Sequence, residues 1–188
     1  MRTFVAIDLP SEIRREIARL LGLLRPAASQ VRWARPENLH VTLKFIGELP
    51  TETLPEATSR LASIHLPEPF SLQVRGAGYF PNERAPRVIW LGLESGPALS
   101  ALASQVEEVL LPLGIPKEKR PFSPHLTLGR IKVPARIPAV QEILRRREPL
   151  DFGSFIAKEF YLYESQLASG GPVYRKIARF ALVANSAE

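Results

Sequence analysis

Pro121–Arg130 reads Pro-Phe-Ser-Pro-His-Leu-Thr-Leu-Gly-Arg, and the pattern His-x-Thr-Leu within it has already occurred at His40-Val41-Thr42-Leu43. The 188-residue chain contains 3 histidines, and all but one of them lie in this repeated pattern. The repetition of a pattern anchored on so rare a residue carries a small risk of coincidence. We therefore take the two copies as the centre around which the fold and the function are arranged.

The composition is that of a globular protein. Hydrophobic residues make up 45% of the chain and charged residues 23%, both ordinary values. A length of 188 residues suits one domain, or two small lobes that share a core, and we expect a single bilobal domain over residues 1–188. The chain has no cysteine, which excludes disulfides, a thiol nucleophile and cysteine-based metal sites.

The net charge of +6 favours an anionic partner, either nucleic acid or a phosphate ester, although merely soluble proteins can also be basic. The apolar run at the N-terminus meets Asp8 at once, which makes it too short for a signal peptide. No stretch approaches the ~20 apolar residues that a membrane span requires. We expect a cytoplasmic protein without a membrane partner.

Hydrophobic periodicity predicts short strands interspersed with amphipathic helices. Apolar residues recur at helical spacing after Ser11 and in Thr53–Ile64, Ala98–Leu111 and Ala139–Arg147. Runs of β-forming residues predict strands at Thr3–Leu9, Val31–Ala34, Leu39–Ile46, Phe70–Ala77, Arg87–Leu93, Pro124–Ile131, Glu159–Ser165 and Val173–Val183. Each half contains a helix, a motif strand, another helix and further strands. This order predicts an α+β fold of two pseudo-symmetric lobes around a central cleft, each lobe a mainly antiparallel sheet with outer helices.

Strand geometry separates the residues of each motif onto two faces. Strict alternation in the first strand places His40, Thr42 and Lys44 on one face and an apolar set, which includes Phe45, on the other. In the second strand His125 and Thr127 share a face. Arg130 falls on the opposite one unless the strand ends or bulges at Gly129.

Two such strands facing each other would place two imidazoles and two hydroxyls around one bound group, and a phosphate diester fits that set. One histidine could activate water while the other protonates the departing oxygen, each role contributing about 10²–10⁴-fold. The residues alone leave open which histidine does which. A metal site is the rival use of histidines, but catalytic zinc usually has three protein ligands and neither motif supplies them. We expect no metal and no cofactor.

The paired motifs make the chain resemble the two-histidine phosphoesterase superfamily. Within it the chain is similar to the RNA 2',3'-cyclic phosphodiesterases, historically called 2'-5' RNA ligases. The resemblance covers nearly the whole chain, with its stretches at 2–8, 38–48, 87–90, 122–130, 163–165 and 171–174. It implies a bilobal fold with a positively charged cleft and metal-independent hydrolysis of a terminal 2',3'-cyclic phosphate to a 2'-phosphomonoester. It also implies that His40 is the proton donor, His125 the proton acceptor, and Thr42 and Thr127 the phosphate-binding residues.

Further residues are candidates for contacts in the cleft. Lys44 and Arg130 could supply positive charge, and an aromatic ring could stack on a terminal base. The aromatic candidates are Phe45, Trp90, Tyr163 and Tyr174.

The expected partner is an RNA or a nucleotide with a 2',3'-cyclic phosphate, bound by a monomeric enzyme. Three alternatives stay open: reversible 2'-5' ligation of RNA, cyclic phosphodiesterase activity on small nucleotides, and an RNA-end-binding module without catalysis.

Overall fold

A computed structural model describes residues 1–66 and 68–183. Strands and helices alternate along the chain much as the periodicity predicts. The helices are α1 (Ser11–Leu24), α2 (Leu54–Ala62), α3 (Ala98–Leu110) and α4 (Pro138–Arg146). The strands are β1 (Arg2–Asp8), β2 (Val31–Trp33), β3 (His40–Glu48), β4 (Phe70–Phe80), β5 (Val88–Glu94), β6 (His125–Ile131), β7 (Asp151–Ala157), β8 (Glu159–Ala168) and β9 (Gly171–Ala181).

The strands form two antiparallel sheets. One has the order β3-β1-β8-β9 and the other β2-β6-β5-β4-β7. Each sheet draws strands from both the early and the late part of the chain, so neither lobe can form from one half alone. The first motif strand lies at an edge of the four-stranded sheet, and the second lies inside the five-stranded sheet. The predicted α+β fold is confirmed.

The helices form because each carries an apolar stripe that the sheets bury. In α1 the residues at helical spacing are all buried, namely Ile13, Ile17, Leu20, Leu21 and Leu24. This helix contacts β7 and α4, whereas α3 contacts β3 and α2 contacts both α3 and β9. One connected apolar cluster includes residues of all four helices and both sheets. Among the described residues, no helix has the length and apolarity needed to cross a lipid bilayer.

Both motif strands contain a β-bulge immediately after the threonine. On β3, Thr42 lies opposite Ala6 and Lys44 lies opposite Val5, so Leu43 is an extra residue. On β6, Thr127 lies opposite Trp90 and Gly129 lies opposite Ile89, so Leu128 is extra in the same way. An extra residue shifts the alternation of side chains by one position, so the residues directly after it change face.

The bulge on β3 corrects the placement of Lys44. Its partner Val5 belongs to the main core, so the lysine lies on the helix side and is only 3% exposed. The prediction that Lys44 shares the face of His40 is therefore wrong. Phe45 takes its place: it lies opposite Phe4, on the face of His40, and is 56% exposed.

The bulge on β6 corrects the placement of Arg130. This residue lies opposite Val88, and the next buried pair, Ile89 and Gly129, belongs to the other face. Arg130 therefore shares a face with Thr127 and His125, contrary to strict alternation. The bulge lies at Leu128, one residue before the position that the sequence suggested as the exception.

Candidate active site

The two motif strands meet where the sheets approach each other, since β3 contacts β6 although they belong to different sheets. His40 lies opposite Asp8 of β1, and His125 lies opposite Gly92 of β5. Both histidines are half-buried. We call the space between these strands the cleft.

The imidazole of His40 lies among aromatic rings. Its centroid is 4.7 Å from that of Phe4 and 5.3 Å from that of Tyr174, which meets it edge-on at 80°. Burial among these rings lowers the pKa of His40 to about 4, because the charged form loses solvation. The hydrogen bond to Asn38 and the charge of Asp8 raise the pKa, and the charges of Arg14 and Arg130 lower it. The net effect keeps His40 neutral at pH 7 in the ligand-free protein.

His125 has a similar but more open environment. Its ring meets Phe80 edge-on at 5.1 Å, and the Trp90 ring lies at 6.4 Å. Burial lowers the pKa of His125, the hydrogen bond to Ser123 raises it, and the charge of Arg130 lowers it further. The net direction is downward, so His125 is also neutral near pH 7.

The main chain fixes the tautomer of both imidazoles in the same way. Nδ1 of His40 lies 2.7 Å from the carbonyl oxygen of Asn38, and Nδ1 of His125 lies 2.7 Å from that of Ser123. A carbonyl oxygen only accepts hydrogen bonds, so Nδ1 carries the hydrogen in each ring. Proton exchange with a ligand is therefore left to Nε2 of both histidines.

The motif threonines add a hydroxyl to each face that carries a histidine. Thr42 and Thr127 are half-buried and lie two residues after His40 and His125, on the same face. Within residues 1–66 and 68–183, neither hydroxyl has a hydrogen-bond partner. Each is free to donate to an oxygen of a bound anion.

Arg130 places a positive charge on the cleft face of β6. Its charge lowers the pKa of His40, of His125 and of Tyr174, although burial is the largest effect on each of these groups. One guanidinium therefore acts on groups of both lobes. Together with the contact between β3 and β6, this effect indicates that the two motifs border one cleft.

Aromatic residues line the cleft on both sides. Tyr163 stacks on Phe4 at 5.0 Å with an interplanar angle of 6°, and Phe45 lies 6.1 Å from the same ring. Trp90 lies opposite Thr127, and its Nε1 is buried without a hydrogen-bond partner among the described atoms. Of the four aromatic candidates from the sequence, Tyr163, Tyr174 and Trp90 lie within 6.4 Å of a histidine ring, whereas Phe45 is linked to His40 only through Phe4. Phe4 and Phe80 were missed, although the β-face periodicity of β1 could have indicated Phe4.

An ion cluster beside His40 was also not predicted from the sequence. Asp8 accepts hydrogen bonds from Arg14, from Lys176 at 2.5 Å and from the Leu9 amide at 2.9 Å. The two cations neutralise the carboxylate, which limits its ability to raise the pKa of His40. The cluster borders a cavity of about 360 Å³ that reaches His40, Tyr163 and Tyr174.

Lys44, by contrast, connects β3 to the segment that leads into the second motif. Its Nζ donates to Oε1 of Glu107 at 2.8 Å and to the carbonyl oxygen of Pro116 at 2.6 Å. It cannot contact a ligand in the cleft from this position. Among residues 1–66 and 68–183, no group of three or more His, Cys, Asp or Glu side chains is arranged to hold a metal ion.

Comparison with known proteins bears on the same two motifs. The family model "LigT like Phosphoesterase" matches the chain twice, at residues 7–90 and 91–174, with one motif in each match. The RNA 2',3'-cyclic phosphodiesterase of Archaeoglobus fulgidus is 38% identical over 180 residues, covering 96% of this chain and 99% of the relative. The enzyme of the same name from Thermus thermophilus is 38% identical, with coverage of 97% and 90%.

Solved structures with a similar fold indicate the same family as the sequence relatives. A protein of Thermus thermophilus superposes with a TM-score of 0.80 at 35% identity, covering 99% of this chain and 100% of that one. The E. coli LigT complex with 3'-AMP has a TM-score of 0.76 at 32% identity, with coverage of 97% and 98%. The resemblance seen in the paired motifs is confirmed. The chain belongs to the family of LigT-like phosphoesterases, the two-histidine phosphoesterases.

Proposed function

We propose that the protein hydrolyses a terminal 2',3'-cyclic phosphate of RNA to a 2'-phosphomonoester by acid–base catalysis with two histidines. The observation that carries this proposal is the pair of imidazoles whose Nδ1 atoms are both bound to main-chain carbonyls, which leaves both Nε2 atoms for proton transfer. The names of the relatives, RNA 2',3'-cyclic phosphodiesterases, support the same reaction.

The roles of the histidines follow the family resemblance. Nε2 of His125 takes a proton from water, whose oxygen attacks phosphorus in line with the bond to O3'. That bond breaks, and Nε2–H of His40 donates its proton to the departing O3'. The 2'-oxygen keeps the phosphate, so the product is the 2'-phosphomonoester. Each histidine transfers one proton, His125 as the general base and His40 as the general acid.

The remaining candidates stabilise the phosphate. We propose that the hydroxyls of Thr42 and Thr127 donate to its non-bridging oxygens and that the Arg130 guanidinium holds the charge that develops there. Phe45 and Tyr174 border the same space and offer faces on which a base could stack. Lys44 does not belong to this set, because it is buried on the helix side of β3.

The lowered pKa values mean that the proton donor must gain its proton when the substrate binds. Both imidazoles are neutral at pH 7 in the ligand-free site, which suits the acceptor but not the donor. A bound phosphate anion favours the charged form of a neighbouring imidazole. The donor therefore takes up its proton together with the substrate.

Product analysis tests this function. Purified protein is incubated with a nucleoside 2',3'-cyclic phosphate, with and without a chelator, and the products are separated by chromatography and assigned by phosphorus NMR. We expect the 2'-phosphate alone, at the same rate with chelator. A 3'-phosphate product, or complete inhibition by the chelator, would contradict the mechanism. For substitutions of His40 or His125 in this assay, the matched control is His65→Ala, which removes the exposed third histidine.

Adding an RNA with a 5'-hydroxyl end to the same mixture tests whether the same groups also catalyse ligation, the reverse reaction.

We also propose that the chain acts as a single bilobal domain, because one connected core includes both sheets. The cytoplasmic location and the monomeric state stay predictions.

A further inference from the structure

Arg32 is the residue directly opposite Arg130 on the neighbouring strand. The register of β2 with β6 pairs Arg32 with Arg130, while Val31 pairs with Ile131 and Trp33 with Gly129. Residues that face each other across an antiparallel pair point to the same side of the sheet. Arg32 therefore lies on the cleft face, beside the arginine that acts on both histidines.

Two like charges directly opposite each other destabilise a sheet unless something compensates them. Among residues 1–66 and 68–183, no carboxylate lies within salt-bridge distance of either arginine. Other arginines of the described chain do have such partners: Arg14 pairs with Asp8, and Arg175 with Glu164. Both Arg32 and Arg130 are exposed, so an anion from solution can reach the space between them.

The backbone holds Arg32 in this position. Val31 is buried, and the Trp33 indole donates from Nε1 to the carbonyl oxygen of Ala28 at 3.2 Å. A Cβ at Gly129 would lie 2.6 Å from Cγ1 of Val31 and 2.9 Å from the Trp33 ring. The glycine therefore lets β2 pack closely against β6. Since its neighbours are anchored on the core face, the direction of Arg32 toward the cleft is fixed.

The location of β2 indicates what the second arginine binds. This strand is the edge of the five-stranded sheet, so Arg32 extends the row from Val88 through Arg130 by one strand and ends it at the sheet edge. A single nucleotide has one phosphate for this row, whereas an RNA chain brings a second one with its next nucleotide. Arginine is well suited to bind phosphate through several hydrogen bonds.

We propose that Arg32 forms a second phosphate subsite, which binds the phosphodiester immediately 5' to the terminal cyclic-phosphate nucleotide. This inference rests on the proposed function and narrows its substrate to oligoribonucleotides. The enzyme uses a cyclic mononucleotide less efficiently because this subsite then stays empty.

Kinetics on matched substrates tests the subsite. The substrates are a cyclic mononucleotide, a dinucleotide ending in a cyclic phosphate, and the same dinucleotide with an uncharged methylphosphonate as its internal linkage. Wild type should prefer the charged dinucleotide to the methylphosphonate by about tenfold, the size of one charge-assisted hydrogen bond. Arg32→Gln should abolish that preference and leave kcat/KM for the mononucleotide unchanged. Arg32→Lys, which keeps the charge, should retain part of it.

The salt dependence gives a second measure. For the charged dinucleotide, the slope of log(kcat/KM) against log salt should become shallower by about 0.7 in Arg32→Gln, as expected for one lost contact to a single strand. Arg15→Gln removes the same charge from the exposed face of α1 and should change neither quantity.

The possible outcomes distinguish a failure of the Arg32 subsite from a failure of the proposed function. An unchanged preference in Arg32→Gln, with the mononucleotide still hydrolysed, would overturn the subsite alone. Equal losses on all three substrates would show that Arg32 acts on the terminal phosphate or on the fold, and would overturn it too. Failure of wild type to hydrolyse any of them would overturn the proposed function together with the subsite.

Discussion

Replacing Lys44 by methionine should destabilise the protein, although the lysine touches no ligand. The lysine is only 3% exposed, and its ammonium group donates to Glu107 and to the carbonyl oxygen of Pro116. Methionine keeps the length of the side chain but removes both hydrogen bonds and the charge. Glu107 then stays partly buried without its cation, and the Pro116 carbonyl loses a donor.

The size of the effect follows from the burial of the pair. Removing one partner of a buried ion pair costs about 3–5 kcal/mol, and the lower end applies because Glu107 is 19% exposed. For a chain of this length, about 3 kcal/mol lowers Tm by roughly 6–12 °C. Urea unfolding followed by circular dichroism, together with calorimetry, measures both quantities.

A neighbouring ion pair provides the control. Lys117 pairs with Glu108 at the surface, close to the same segment, and Lys117→Met should cost less than about 1 kcal/mol. Adding Glu107→Leu to Lys44→Met should recover much of the lost stability, because an apolar pair can replace a buried ion pair. If Lys44→Met were no less stable than Lys117→Met, the burial argument would be refuted.

Further predictions concern the effect of pH and the residues that line the cleft. Burial raises the pKa of Glu107, but the hydrogen bonds from Lys44 and the Glu118 amide outweigh it and hold the pKa below 4.5. The stabilisation by this pair should therefore be lost as the pH falls below about 4.5, and stability curves of wild type and Lys44→Met that stay parallel there would disprove this. The profile of kcat/KM against pH should be bell-shaped with its maximum between about 4 and 6.5, since one histidine must be neutral and the other charged, and an apex above pH 7 would contradict the lowered pKa values. Arg130→Ala should lower kcat by about 10²-fold or more, with partial recovery in Arg130→Lys, and kinetics with unchanged kcat would remove it from the site. Gly78→Ala would place a Cβ 2.1 Å from the Trp90 ring, so the tryptophan emission should shift and kcat/KM should fall, whereas an unaltered spectrum would show that the ring is not held there.

The parts of the fold that follow from regular periodicity could be predicted from the sequence. The stripe of α1 and the alternation of His40 with Thr42 depend only on spacing, and the structure has both. Strand β7 was missed because Asp151–Ala157 contains Asp, Gly and Ser where β-formers are expected, and only pairing with β4 makes it a strand.

In each motif strand, the sequence predicts the face of the residues before the bulge but not of those after it. In β3, Thr-Leu followed by Lys44 contains nothing that distinguishes a bulged strand from a regular one. In β6, Gly129 indicates a possible bulge but not that Leu128 is the extra residue, because the extra residue is defined by the partner strand. The positions of Lys44, Phe45 and Arg130 therefore required the register. The ion cluster at Asp8 also joins residues far apart in the chain, since Lys176 lies on β9.

The central claim is the division of labour between the two histidines, and a substrate with sulfur at the bridging 3' position tests it most directly. A thiolate leaves without a proton at neutral pH far more readily than an alkoxide. On the ordinary cyclic phosphate, His40→Ala and His125→Ala should each lose about 10²–10⁴-fold in kcat. On the 3'-thio substrate, His40→Ala should recover most of its rate and His125→Ala should not. Recovery of His125→Ala instead would reverse the assignment, and full activity of either variant on the ordinary substrate would contradict the two-histidine mechanism.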